Sequence, residues 1–185
     1  LFIISALYLT SCRNKKDDFS NIFRYNQIGG LESLDPAFAK NLSIMWQINQ
    51  LYNTLITVDS QLNLQPSLAK SWIIHPDQRI TFIIRDDVYF HDHAIFPNGK
   101  GRKMTAHDVV YSFNRLIDPQ TASSGAWVFN DRVAKENPFE AVNDTTFAIR
   151  LQQSFQPILY LLTMPYCAIV PHEAITAFGK DFRSN

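Results

Sequence analysis

Histidine and carboxylate side chains cluster at one point of the sequence, where His91, Asp92 and His93 follow one another. Imidazole nitrogens and carboxylate oxygens are common ligands of zinc and similar ions, so this tripeptide could contribute to a metal site. Asp86 and Asp87, just before it, have the composition of a catalytic acid pair. Adjacent residues of a strand point to opposite faces, however, so we interpret these two carboxylates as surface charges at the end of a hairpin.

Motifs for covalent and nucleotide chemistry are missing from the sequence. It contains no Gly-x-Ser-x-Gly elbow for a nucleophile, no Gly-x-Gly-x-x-Gly loop and no Walker loop. This favours a binding protein without a cofactor over an enzyme. A secreted lipoprotein hydrolase with catalytic residues beyond Asn185 is the alternative.

The composition is that of a folded, electrically balanced chain. Hydrophobic residues make up 46% of the 185 residues and charged residues 18%, which predicts a packed core. Lysine plus arginine equal aspartate plus glutamate at 17 each. This balance gives no electrostatic reason to expect a nucleic-acid partner.

The first residues resemble the export signal of a bacterial lipoprotein. Residues 1–9 are uncharged and apolar, and they are too few to span a membrane. They lead into residues 9–12 (LTSC), which resemble a lipobox and identify Cys12 as the lipidated residue. Residues 13–21 are polar apart from Phe19, as expected of a tether between a lipid anchor and a folded body. The alternatives are an ordinary signal peptide or an N-terminal core segment, with Cys12 incidental.

The body of the chain mixes short strands and helices in no strict order, which predicts an α+β fold. Helices are predicted at 44–52, 105–116, 155–162 and from Pro171. Strands are predicted at 23–28, 55–58, 72–74, 80–85, 146–151 and 167–170, with 72–74 and 80–85 forming a hairpin. A turn or a single helical turn is predicted at 66–69. We also expect Cys167 to be a buried thiol, and Arg85 to form a buried ion pair with a carboxylate such as Asp108.

Several phrases, in the correct order, resemble the extracellular solute-binding proteins of family 5. These are residues 34–36 (LDP), 51–55 with 66–72 (LYNTL and PSLAKSW), 81–92 (TFIIRDDVYFHD) and 105–119 (TAHDVVYSFNRLIDP). His93 stands where the family usually has glycine. Because His91 and Asp92 belong to the family's ordinary phrase, we predict no metal site.

The resemblance implies a two-lobed periplasmic-binding-protein fold that encloses a ligand between its lobes. Residues 22–185 would be the N-terminal portion of that fold, much of the first lobe and its added subdomain. The implied function is capture of oligopeptides or dipeptides outside the cytoplasmic membrane and their delivery to the permease of an ABC importer. Nickel chelates, opines and sugars are the alternative cargoes.

The resemblance also indicates which residues lie near the ligand. The segments 38–43 and 121–129 follow two of the family's phrases and border the cleft in such proteins. We predict that Asn41, Leu42, Trp127 and Phe129 lie close to the ligand. The alternative is that they are ordinary packing residues.

Overall fold

A computed structural model describes Asn26 and residues 32–183 of the chain. Apart from Asn26, the predicted strand at 23–28 lies outside the described residues, as do the predicted lipid anchor at Cys12 and the tether at 13–21. None of the helices within residues 32–183 has the length and apolar composition that crossing a bilayer requires.

The described part is an α+β fold. The helices are α1 (Leu42–Leu51), α2 (Ala106–Ile117), α3 (Ile158–Leu161) and α4 (His172–Phe178). The strands are β1 (Ile56–Val58), β2 (Leu64–Pro66), β3 (Ala69–Ile74), β4 (Arg79–Ile84), β5 (Phe139–Asn143) and β6 (Thr146–Arg150). Short 3-10 turns at Pro36–Phe38, Pro97–Gly99, Ala126–Val128, Pro165–Cys167 and Gly179–Arg183 connect them.

Four antiparallel strands form the main sheet, in the order β3-β4-β6-β5. Side chains alternate between the two faces of a strand, and in β4 the residues Ile80, Phe82 and Ile84 are all buried. Phe82 pairs across the sheet with Phe147 of β6 and lies 6.0 Å from it between ring centroids. The sheet therefore has one apolar face on which the core is built.

The amphipathic helix α2 contacts β5 and β6. Its N-terminus has a capping box, since the backbone N–H of Thr105 donates to the Asp108 carboxylate at 2.8 Å. Asp118 caps its C-terminus, ahead of Pro119, which cannot continue the helix. Local signals in the sequence therefore predicted both ends of α2 correctly.

One local prediction is wrong and two strands were not predicted. Residues 167–170 are buried but are not a strand, because Cys167 ends a 3-10 turn and no strand among the described residues pairs with the segment. Residues 66–69 bend at 67–68 and join the end of β2 to the start of β3, so of the two predicted alternatives the turn is present and the helical turn is not. The predictions omit β2 and also β5, which forms an edge of the main sheet. The buried thiol of Cys167 is confirmed, and burial raises its pKa.

The predicted partner of Arg85 is also wrong. Strand β4 ends at Ile84, so Arg85 is exposed and pairs with Asp87 at 2.8 Å. Asp108 instead accepts two hydrogen bonds from Arg102, at 2.6 and 2.8 Å. The same guanidinium bonds Glu173 and holds the pKa of that carboxyl below its usual range. Arg102 thereby joins α2 to α4.

Candidate ligand-binding surface

The predicted ligand-bordering segment 121–129 contacts the chain directly ahead of the other predicted segment, 38–43. The Ser123 hydroxyl donates to the carbonyl oxygen of Ala37 at 2.6 Å, and the Ser124 hydroxyl approaches the same oxygen at 3.4 Å. The two segments are 86 residues apart in sequence at this contact. The two stretches of chain adjoin at this contact, and we call residues 37–42 together with residues 121–129 the 37–42/121–129 surface.

A buried ion pair fixes the first of these segments to α2. The Arg115 guanidinium donates two hydrogen bonds to the Asp35 carboxylate, at 2.7 and 2.5 Å. Asp35 is 1% exposed, and one of its oxygens also accepts from the backbone N–H of Ala37, which caps the 3-10 turn Pro36–Phe38. Sequence reasoning missed this pair because its members are 80 residues apart.

Tyr52 lies in the field of the same ion pair. Burial, and secondarily the negative charge of Asp35, raises the pKa of Tyr52 to about 12, although the positive charge of Arg115 opposes the rise. A phenol in an unfolded chain ionises near pH 10. The folded protein therefore holds this proton more tightly than the unfolded chain does.

Stability should accordingly fall as the pH rises from about 10 to about 12. The contribution of Tyr52 is fully present below pH 10 and is lost towards pH 12, for a total of about 1–2 kcal/mol after allowance for partial exposure. Urea denaturation at a series of pH values should show that the free energy of unfolding of Tyr52→Phe falls less steeply over this range than that of the unaltered protein. Some decline should persist, because the pKa values of Tyr111 and Cys167 are raised too. An equally steep decline in Tyr52→Phe would contradict this account.

The four predicted ligand residues divide into three that have accessible side-chain surface and one that does not. Asn41 is half-buried, and its side-chain oxygen accepts from the backbone N–H of Ile44 to cap α1 at 3.0 Å. Leu42 is 60% exposed and Trp127 is 42% exposed. Phe129 is fully buried, and it therefore packs in the core rather than on a surface that a ligand could touch.

Trp127 is held in place by residues that sequence reasoning missed. Its indole packs edge-on against the Tyr166 ring, with 6.4 Å between ring centroids, and its carbonyl oxygen accepts from Arg132. Gly125 leaves room for that Tyr166 ring, since a Cβ atom at this position would lie 2.6 Å from a ring carbon. These contacts fix an exposed indole beside the 37–42 segment, where it can stack on or cover a bound molecule.

Comparison with known sequences decides the family. Residues 63–185 match the profile described as bacterial extracellular solute-binding proteins, family 5 Middle. The chain belongs to this family. Two of the phrases that suggested it, LDP and the one on α2, are joined in the structure by the Asp35–Arg115 ion pair.

Individual members of family 5 are similar to this chain over most of its length. The periplasmic oligopeptide-binding protein OppA of Salmonella typhimurium is 28% identical over 82% of the chain, and a dipeptide-binding protein of Lactococcus lactis is 25% identical over 97%. The structure of Haemophilus influenzae OppA in complex with RPPGFSPFR superposes with a TM-score of 0.72 at 28% identity, covering 83% of the chain and 31% of OppA. The chain spans only 29% of the Salmonella protein and 33% of the Lactococcus protein.

The family's F-H-D phrase has a structural role in this member. The Asp92 carboxylate accepts from the Lys100 ammonium at 2.6 Å and from the Gly101 backbone N–H at 2.9 Å, and these bonds lower its pKa. The Nδ1 atom of His93 accepts from the backbone N–H of Ile95. Within residues 32–183 no three histidine, cysteine or acidic side chains converge on a point where a metal ion could bind.

Two cavities with different linings flank the described elements of this family 5 protein. One, of about 320 Å³, lies between the end of α1, residues 88–104 and α4, and its walls are mainly apolar and aromatic. The other, of about 440 Å³, adjoins Trp127 and has a lining that is about half polar and half apolar. Of the four predicted ligand residues, only Trp127 lines either cavity.

Proposed function

We propose that the protein carrying this chain is the solute-binding component of a bacterial ABC importer, and that its cargo is peptides. It captures the peptide outside the cytoplasmic membrane and delivers it to the permease without catalysing a reaction. Family membership supports the importer role, and the relatives named for oligopeptides and dipeptides support the cargo. The exposed indole of Trp127 on the 37–42/121–129 surface is the structural observation that carries the proposal.

The domain organisation is part of the proposal. Residues 1–12 are a lipoprotein signal that ends at the lipidated Cys12, residues 13–21 are a tether, and residues 22–185 belong to the solute-binding fold. This arrangement would hold the protein at the outer side of a membrane, close to its permease.

Capture follows from closure of two lobes around the ligand. A ligand that contacts both lobes binds the closed state better than the open one and so shifts the population towards it. Asn41, Leu42 and Trp127 supply contacts on the side that this chain provides. The chain alone should bind weakly, because it offers only one wall of the cleft.

A thermal-shift screen of the full-length protein tests the cargo. The screen compares a mixed peptide library with nickel chelates, opines and oligosaccharides, because a ligand of the native state raises the melting temperature. Stabilisation by peptides alone supports the proposal. A shift with another class, and none with peptides, would replace the cargo while the family assignment stands.

Trp127→Ala should weaken peptide binding about tenfold, because a partly exposed tryptophan in a binding surface carries a large share of the contact energy. The free energy of unfolding should change by no more than about 1 kcal/mol, since the indole is far from fully buried. Isothermal titration calorimetry and urea denaturation measure the two effects. Tyr160→Ala is the matched control, since Tyr160 is an aromatic residue 50% exposed on α3. Equal losses of affinity in both variants would count against a role for Trp127.

A further inference from the structure

The 440 Å³ cavity beside Trp127 combines aromatic walls with polar groups. Its lining consists of Trp127, Asn130, Asp131, Arg132, Gln153 and Phe155. Trp127 and Phe155 offer apolar surface, and the two amide side chains offer hydrogen-bond donors and acceptors. A cavity with such a lining suits a group that has an apolar stem and a polar end.

Arg132 stands apart from most other arginines of the described chain. Five arginines form an ion pair with at least one carboxylate, namely Arg79, Arg85, Arg102, Arg115 and Arg150. Arg132 is half-buried and has no carboxylate within ion-pair distance among residues 32–183. It is held instead by uncharged groups.

Two carbonyl oxygens and an aromatic ring hold the Arg132 guanidinium in position. Its Nη1 atom donates to the carbonyl oxygens of Trp127 and Asn130, at 2.5 and 3.3 Å. Its Cζ atom lies 5.3 Å from the centroid of the Phe155 ring, within the range of a cation–π contact. Its Nε and Nη2 atoms have no hydrogen-bond partner among the described residues, and together these atoms form the edge that binds a carboxylate with two bonds.

Asp131 also lines the cavity and carries the opposite charge. Its side chain is exposed, so water and salt screen its charge more than that of the half-buried Arg132. The cavity should therefore attract an anionic group, with Asp131 reducing the attraction rather than cancelling it.

We propose that this cavity, the Arg132 pocket, binds a carboxylate of the peptide ligand. The guanidinium edge pairs with the carboxylate, the amides of Asn130 and Gln153 add donors, and the rings of Trp127 and Phe155 flank the attached carbon chain. The carboxylate comes either from an acidic side chain or from the C-terminus of the peptide. This inference rests on the proposed peptide cargo and adds a chemical preference to it.

The test is calorimetric titration of the full-length protein with matched alanine pentapeptides at low salt. One series carries a single Glu or the isosteric Gln at each position in turn, with an amidated C-terminus. A second pair is all-alanine with a free or an amidated C-terminus. In one of the two sets the charged peptide should bind about tenfold more tightly than its neutral counterpart, as expected of a charge-assisted hydrogen bond. The set that responds identifies the source of the carboxylate.

Three variants separate recognition of charge from the support that Arg132 gives to Trp127. Arg132→Gln should bring the ratio of charged to neutral affinity close to one. Arg132→Lys keeps the charge and should retain part of the ratio, even if it disturbs the turn. Asp131→Asn should raise the ratio about twofold, because it removes the opposing charge.

Two results would overturn the inference while the peptide cargo stands. These are equal binding of every charged and neutral pair, or an Arg132→Gln variant that weakens both members of a pair equally. The second result would mean that Arg132 only positions Trp127. If neither these pentapeptides nor the mixed peptide library of the thermal-shift screen binds, the proposed cargo is wrong and the preference for a carboxylate fails with it.

Discussion

Replacing Asp35 by alanine is expected to lower the free energy of unfolding by about 3–5 kcal/mol, because the change leaves the Arg115 guanidinium without its counter-charge in a buried site. Arg115 is itself only 13% exposed. The same substitution removes the acceptor for the backbone N–H of Ala37. Urea denaturation of the full-length protein measures the loss.

A double-mutant cycle built from Asp35→Leu and Arg115→Met shows how much of this loss comes from the unpaired charge. Arg115→Met alone should also destabilise, since it strands the buried Asp35 carboxylate. Asp35→Leu combined with Arg115→Met removes both charges and should recover most of the stability, because an apolar pair of similar volume can replace a buried ion pair. About 1 kcal/mol of stability should not be recovered, because the double variant still lacks the Asp35 cap of the 3-10 turn. A loss below about 1 kcal/mol in Asp35→Ala would contradict the assignment of this pair as a structural anchor.

Phe129→Ala should cost about 3–5 kcal/mol of stability, the range for truncation of a buried phenylalanine. The Phe129 ring lies 5.0 Å from the centroid of Phe113 and 4.9 Å from that of Phe139, so the change removes contacts from the centre of the core. Chemical denaturation measures the cost. Phe129→Leu, which fills part of the cavity, should cost less.

The same variant decides between packing and ligand contact at Phe129. Well below its melting temperature, folded Phe129→Ala should lose less peptide affinity than Trp127→Ala does. A variant with nearly unchanged stability and a specific loss of affinity would mean that Phe129 touches the ligand after all. The two positions are two residues apart, and the structure gives one an exposed side chain and the other a buried one.

The exposed ion pairs should matter far less than the buried one. The pairs Lys70–Asp86 and Arg85–Asp87 have side chains that are 44–64% exposed. Solvent screening and the entropy of long side chains leave such pairs with little net effect on stability. Asp86 and Asp87 thus pair with separate cations on the surface, in agreement with their interpretation as surface charges.

Signals that act over a few residues could be recognised in the sequence. The period of apolar residues predicted α1, the capping and stop signals at its two ends predicted α2, and two β-rich runs around residues 75–79 predicted the β3–β4 hairpin. These elements were predictable because a helix turn and a hairpin are stabilised by neighbours in the chain. The family phrases added the prediction that the segments 38–43 and 121–129 border the ligand.

Only the tertiary structure decided which distant residues pair and which side chains face solvent. The sequence by itself determined the α+β class, the family resemblance, the capped helix α2 and the buried thiol of Cys167. It could not pair Asp35 with Arg115 or show that Arg132 pairs with no carboxylate of residues 32–183, because such contacts depend on how separate elements pack. The sequence likewise could not predict that Phe129 is buried and Trp127 exposed. A short turn has no repeating pattern of apolar residues that would indicate which of its side chains face the core.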